Sequence, residues 1–212
     1  MSEALCVCVF CSSSEAVSPR LRSLAVELGD GIAARGWRLV YGGGDVGLMG
    51  EVARAALAGG AHVTGVIPHR LAGKEIALDK VTELIRVDTM RERKRLMDER
   101  ADAFVILPGG IGTLEELLEV LTLKQLGYHD RSITLLDAGG FWAPLRRQID
   151  DIIGAGLGAP GIRDLLSVST DVAGTLDAVS AEWGQMGPLT DAALIEAAVD
   201  DEGAVGPSDP QG

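Results

Sequence analysis

Two short stretches carry residue types that can do chemistry on an anion. One is Pro108-Gly109-Gly110-Ile111-Gly112-Thr113-Leu114-Glu115-Glu116, where three glycines and a threonine precede two carboxylates. Glycine leaves no Cβ between backbone N–H groups and a ligand, and it lets the chain take positive φ. The N–H groups of a helix's first turn point out of its end, where the aligned dipoles add about half a positive charge. Gly109, Gly110, Gly112 and Thr113 therefore suit a phosphate, and a plain tight turn would need fewer glycines. The other stretch is Met90-Arg91-Glu92-Arg93-Lys94-Arg95-Leu96-Met97, the dense basic cluster of a chain whose net charge is −12.

Helical periodicity sorts both stretches. Counting from Met90, the residues Arg93, Lys94 and Met97 share its face, whereas Arg91 and Arg95 point elsewhere and read as solvated. Placing Arg93 and Lys94 on a methionine stripe is costly unless an anion meets them. At 100° per residue from Thr113, Glu115 and Glu119 fall at about 200° and 240°, beside Thr122 and toward solvent. Glu116 falls near 300°, between Val120 and Leu123, and so borders the apolar arc.

These residues need a scaffold, and the pattern of elements supplies one. Leu5 to Phe10 reads as a strand ending in Cys11-Ser12-Ser13-Ser14, whose hydroxyls either reach a ligand or cap the next helix. Ser13 is the candidate contact. A helix over Pro19 to Arg35, closed by Gly36, leads to a strand at Trp37 to Tyr41. Residues 42–47 then fit G-x-G-x-x-G, with Gly43 and Gly44 as candidates for shaping a pocket or packing helix on strand. A dinucleotide is not indicated. The following strand, His62 to Ile67, ends in Pro68-His69-Arg70, with no carboxylate placed for a ribose hydroxyl.

Leu71 to Lys80 is a polar connection bearing Lys74 and Glu75, either bordering a pocket or lying on the surface. Then come a strand at Val81 to Val87, the basic helix from Thr89 to Arg100, and a fully apolar strand from Ala103 to Leu107, stopped by Pro108. Past Gly127 the alternation repeats with strands at Ser132 to Asp137 and Leu165 to Ser169, and helices at Phe141 to Ile153 and Asp171 to Trp183. The expected fold is α/β: a Rossmann-like, doubly wound parallel sheet of about seven strands with helices on both faces. Residues 1–183 form this domain, and 184–212 read as an acidic flexible tail containing a short helix.

Composition narrows the functions. The 212 residues are 47% hydrophobic but only 4% aromatic, so the core is built from Val, Leu, Ile and Ala. The acidic balance argues against nucleic acid or an anionic membrane as partner. No leader or transmembrane run stands out, so the expected location is cytoplasmic. Cys6, Cys8 and Cys11 lack a second cysteine pair, and His62, His69 and His129 are scattered; buried, reduced thiols are expected and no metal.

Together the motifs resemble one family. Tyr41-Gly42-Gly43-Gly44, Gly47-Leu48-Met49-Gly50, Gly65-Val66-Ile67-Pro68, Met90 with Arg93-Lys94, Pro108 to Glu116, and Gln125-Leu126-Gly127 are similar to the Lonely Guy proteins, cytokinin-activating phosphoribohydrolases. The likeness runs from about Val9 to Leu136. It implies hydrolysis of the N-glycosidic bond of an N6-modified adenosine 5′-monophosphate, without a cofactor, by a homodimer. It also implies Arg93 and Glu116 as catalytic residues, Gly109 to Thr113 as the phosphate loop, and Met90 and Lys94 as neighbours that bind substrate. Ser12, Leu123 and Arg131-Ser132 depart from the family's usual glycine, tryptophan and Lys-Pro.

Plain AMP is an open alternative substrate. Two other readings of the same loops are a nucleotide carrier or sensor without chemistry, and a pyridoxal-phosphate decarboxylase. The latter needs a Schiff-base lysine, for which Lys94 is better placed than Lys74, Lys80 or Lys124.

Overall fold

The computed structural model describes residues 4–72, 78 and 80–186. Seven short strands, β1 (Cys6–Phe10), β2 (Arg38–Tyr41), β3 (Val63–Pro68), β4 (Glu83–Val87), β5 (Ala103–Ile106), β6 (Ser132–Leu136) and β7 (Ser167–Ser169), form one sheet. The order is β4-β3-β2-β1-β5-β6-β7 and every pairing is parallel. The central strand is β1, where Val7 lies between Leu39 of β2 and Ala103 of β5. The crossovers carry α1 (Pro19–Ala34), α2 (Gly47–Ala58), the single turn α3 (His69–Ala72), α4 (Met90–Arg100), α5 (Ile111–Gln125) and α6 (Ala143–Gly154), and α7 (Val172–Met186) follows β7. A 3-10 helix at Pro160–Leu165 precedes β7.

The strict side-chain alternation of a strand divides the core in two. From β1 Val7 and Val9, with Cys11 just after it, join Leu24, Leu28 and Ile32 of α1, Val52 of α2 and Leu176 of α7 on one face. Cys6, Cys8 and Phe10 point the other way, to Met97 of α4, Leu117 and Val120 of α5 and Ile149 of α6. Both faces of β1 and β5 are buried, which is why these strands read as unbroken apolar runs. The three cysteines are buried free thiols.

Arg131 belongs to the second core. Its guanidinium lies 4.9 Å from the Phe104 ring, donates to the Ala101 carbonyl at 3.2 Å, and bonds the Asp98 carboxylate at 2.7 Å. It thereby ties β6 to the end of α4. Burial, with the Arg131 cation beside it, drops the neighbouring His129 to a pKa of about 4. Among the described residues no helix is long and apolar enough to cross a membrane. Lys74, Glu75 and the acidic segment from 187 onward lie outside the described residues.

Candidate active site

In this strand order the chain winds outward in both directions from the β1/β5 pair, so the loops leaving those two strands diverge and open a crevice. A cleft of about 380 Å³ lies there. Ser12, Ser13 and Ser14, following β1, form one wall; Gly110 to Thr113 and Glu116 of α5 form another. Met90, Arg93 and Met97 of α4 contribute the third.

The start of α4 is fixed by Thr89, whose hydroxyl accepts from the Glu92 N–H at 3.1 Å while Glu92 reaches back to the Asp88 N–H at 3.2 Å. This is a close variant of the capping box. One turn in, Arg93 is 6% exposed. Its Nε donates to the Val66 carbonyl at 3.1 Å, and Nη2 to the Gly42 carbonyl at 3.2 Å. Nη1 sits 3.5 Å from Glu116 Oε1. A guanidinium has five N–H donors, so this arrangement leaves donors for a ligand.

A Cβ on Gly42 would lie 1.9 Å from Arg93 Nη2, so the arginine reaches its place only because residue 42 has no side chain. Of this loop, the sequence offers Gly43 and Gly44 as candidates, and the structure places neither in the cleft lining; Gly42 is there instead. Gly43, at φ +78°, passes so close to β3 that a Cβ would be 2.9 Å from Ile67 Cβ. It serves packing. A run of three glycines gives no sign of which one faces an arginine 51 residues away.

The second glycine loop corrects another expectation. None of Gly109, Gly110 and Gly112 takes positive φ; Gly110, the N-cap of α5, has φ −90°. What matters is the missing Cβ. At Gly109 it would strike Thr113 Oγ1 at 2.1 Å, so the threonine folds over this glycine and is itself buried. Gly110 and Gly112 meet nothing within 4 Å, and no side chain caps the helix. The first-turn N–H groups of α5 thus open on the cleft beside Arg93, an arrangement suited to a phosphate.

Glu116, 8% exposed, lies one turn further along α5, about 5 Å up the axis from the N–H groups. Ser13 lines the cleft and Met90, 44% exposed, stands at its mouth. Lys94 does not line it. Its ammonium is held by Glu115 and, at 2.8 Å, by Glu119 on the outer side of α5. Burial works against its charge, but these two carboxylates outweigh it and raise the pKa. Periodicity groups Lys94 with Arg93 on the Met90 face, and the structure corrects this: adjacent residues stand 100° apart around a helix, which turns Arg93 into the cleft and Lys94 to Glu115 and Glu119. Glu115 and Glu119, expected to face solvent, do so while paired with Lys94.

Cys11 also lines the cleft, a placement its type did not announce. Burial first, then the Glu116 carboxylate, push its thiol pKa well above the usual range. Val9, Phe10, Met49, Leu71 and Ile111 supply apolar surface around the polar groups.

Residues 49–179 match the family described as "Possible lysine decarboxylase". A protein of Oryza sativa subsp. japonica named "Probable cytokinin riboside 5'-monophosphate phosphoribohydrolase" is 48% identical over 165 residues, 78% of this chain and 73% of the relative. A cytokinin riboside 5'-monophosphate phosphoribohydrolase of Arabidopsis thaliana is 44% identical over 160 residues, 76% of this chain and 74% of that one. Among solved structures, a molybdenum cofactor carrier protein from Chlamydomonas reinhardtii superposes with a TM-score of 0.67 at 24% identity, covering 87% of this chain and all of that one. At that identity the likeness shows the fold alone. The sequence relatives and the family match together show that the chain belongs to the Lonely Guy family of phosphoribohydrolases.

Proposed function

We propose that this protein hydrolyses the N-glycosidic bond of N6-modified adenosine 5′-monophosphates, releasing the free base and ribose 5-phosphate. The observation that carries the reading is the buried Arg93–Glu116 pair, 3.5 Å apart, facing the same cleft as the uncapped end of α5. The 5′-phosphate would sit on the N–H groups of Ile111, Gly112 and Thr113. Glu116, one turn along, then meets the anomeric carbon. As the C1′–N9 bond breaks and its electron pair leaves with the base, positive charge grows on the ribose. A carboxylate beside it stabilises that charge and takes a proton from the water that forms the new C1′–O bond; the departing base takes one proton from solvent, and Glu116 returns its own to solvent, which closes the balance. Arg93, immobilised by two carbonyls, orients Glu116 and offers its remaining donors to ribose hydroxyls or phosphate.

The decarboxylase reading loses its lysine, since Lys94 is tied to Glu115 and Glu119 outside the cleft. The working form in this proposal is a cytoplasmic homodimer acting on a small molecule and not on nucleic acid. Three buried free thiols support the compartment. Exposed Ile111, Leu118 and Leu126 along α5 support a second copy as its cover. The test is an end-point assay with N6-isopentenyl-AMP, AMP and the unphosphorylated riboside, resolving free base by chromatography. Base released from the monophosphates and not from the riboside is the expected result, and the ratio between the two nucleotides sets the N6 preference. Tight nucleotide binding with no base released from any of them would overturn hydrolysis in favour of a carrier.

A further inference from the structure

The serine wall of the cleft is held by a device that neither the family match nor the proposed chemistry uses. We propose that Glu15 is a positioning residue for the cleft: its carboxylate closes the N-terminal end of α2 and so fixes the Ser12–Ser14 backbone as a rigid wall. The inference rests on reading the cleft as a nucleotide site.

The end of α2 is packed directly on that backbone. Gly47, at φ +56°, would with a Cβ approach the Ser13 carbonyl carbon to 2.6 Å, the Ser12 oxygen to 2.7 Å and the Ser14 oxygen to 2.8 Å. The next N–H, of Leu48, donates to the Ser12 carbonyl at 2.9 Å. Gly47's own N–H donates to Glu15 Oε1 at 3.2 Å. Val46, the N-cap, has no side chain that could do this. Glu15, an exposed carboxylate, therefore acts as the chain's own anion on a helix end that would otherwise be open, the interaction that dipole and free N–H groups favour.

Glu15 is itself held. Arg22 Nη2 donates to its carboxylate at 3.0 Å and to its main-chain carbonyl at 2.7 Å. Arg22 Nη1 continues to Glu51 of α2 at 2.9 Å, and Arg54 joins Glu51 at 3.0 Å to Asp45. Acid and base thus alternate from the serine loop through α1 to α2. Within the loop, Ser12 Oγ accepts from the Ser14 N–H at 3.1 Å and Ser14 Oγ from the Ala16 N–H at 3.2 Å. Two serines build the turn, and Ser13 is the one whose hydroxyl takes no part in it. What Glu15 fixes is where that hydroxyl stands.

The experiment compares Glu15→Ala and Glu15→Gln with the wild type in the full chain, reading kcat and KM for N6-isopentenyl-AMP and amide hydrogen exchange over residues 12–16. Exposed ion pairs are individually weak, so the expected change is moderate: in Glu15→Ala, KM rises about three- to tenfold with kcat within about twofold. Exchange in 12–16 speeds up while the first turn of α5 is unchanged. Glu15→Gln recovers most of the KM, because its amide oxygen still accepts the Gly47 N–H. Unchanged KM, unchanged exchange, or a loss of kcat equal in both variants would overturn the assignment. If the wild type itself releases no base, it is the hydrolase reading that fails. The positioning role is then judged by the same factor in the Kd for AMP, measured by calorimetry.

Discussion

Two glycine loops, 42–47 and 109–112, each join a strand's carboxyl end to a helix, and they do opposite things. The loop before α2 spends its N–H groups inside the molecule: Gly47 on Glu15, Leu48 on the Ser12 carbonyl. Its glycines at 43 and 47 take positive φ and press against β3 and the serine backbone. The loop before α5 uses no positive φ, has no capping side chain, and leaves open space at Gly110 and Gly112. A glycine motif binds a ligand when its N–H groups have no internal partner and the space a Cβ would take is empty. By that criterion the 42–47 match to a dinucleotide fingerprint packs helix on strand, and of these two loops the one before α5 has the geometry the proposed phosphate site needs.

The sharpest way to break this comparison is to remove the chemistry from the α5 side. Glu116→Gln keeps the shape of the side chain beside Arg93 and deletes the carboxylate. We expect kcat to fall about 10²- to 10⁴-fold with nucleotide binding still measurable by calorimetry. Near-normal turnover would remove Glu116 from the reaction and leave α5 as a binding surface alone.

Next in size is Gly42→Ala, which tests the point where the α2 loop meets Arg93. The added methyl would overlap Arg93 Nη2, and either the guanidinium or β2 must move. Displacing one partner of a buried ion pair typically costs about 3–5 kcal/mol. Split between stability and the site, that loss should lower kcat/KM by about two orders of magnitude and also lower Tm. If both parameters match wild type, Arg93 is not held through Gly42.

Much of this was legible beforehand. The seven strands and their crossover helices follow from short apolar runs separated by amphipathic stretches, and the core face of α5 follows from 100° spacing, which sets Glu116 at the border of the apolar arc and Glu115 toward solvent. The remainder depended on distances that periodicity does not contain. Arg93 and Lys94 are neighbours on one helix, and the sequence gives them equal claims. Only the packed structure shows one reaching the carbonyls of Gly42 and Val66, and the other reaching Glu115 and Glu119. Cys11 as cleft lining and Glu15 as a cap across 32 residues were hidden for the same reason: both are tertiary contacts of residues with ordinary local roles.

The smallest effects separate the loops most cleanly. Gly43→Ala asks an alanine to hold φ +78° with its methyl 2.9 Å from Ile67 Cβ, a strain of about 1–3 kcal/mol that should appear as lower Tm. The active fraction that remains should bind nucleotide normally. Gly110→Ala meets nothing within 4 Å and needs only φ −90°, so the fold has no reason to weaken. By narrowing the unfolded ensemble it could gain about 0.4–1 kcal/mol. Yet its methyl stands where a phosphate would approach the α5 N–H groups, so KM should rise with Tm held or raised. Thermal melts and nucleotide titrations on the two variants therefore give crossed results: stability lost with binding kept, against binding lost with stability kept. If both variants lost stability alone, the α5 loop would be packing like its counterpart, and the phosphate would have to be sought elsewhere in the cleft.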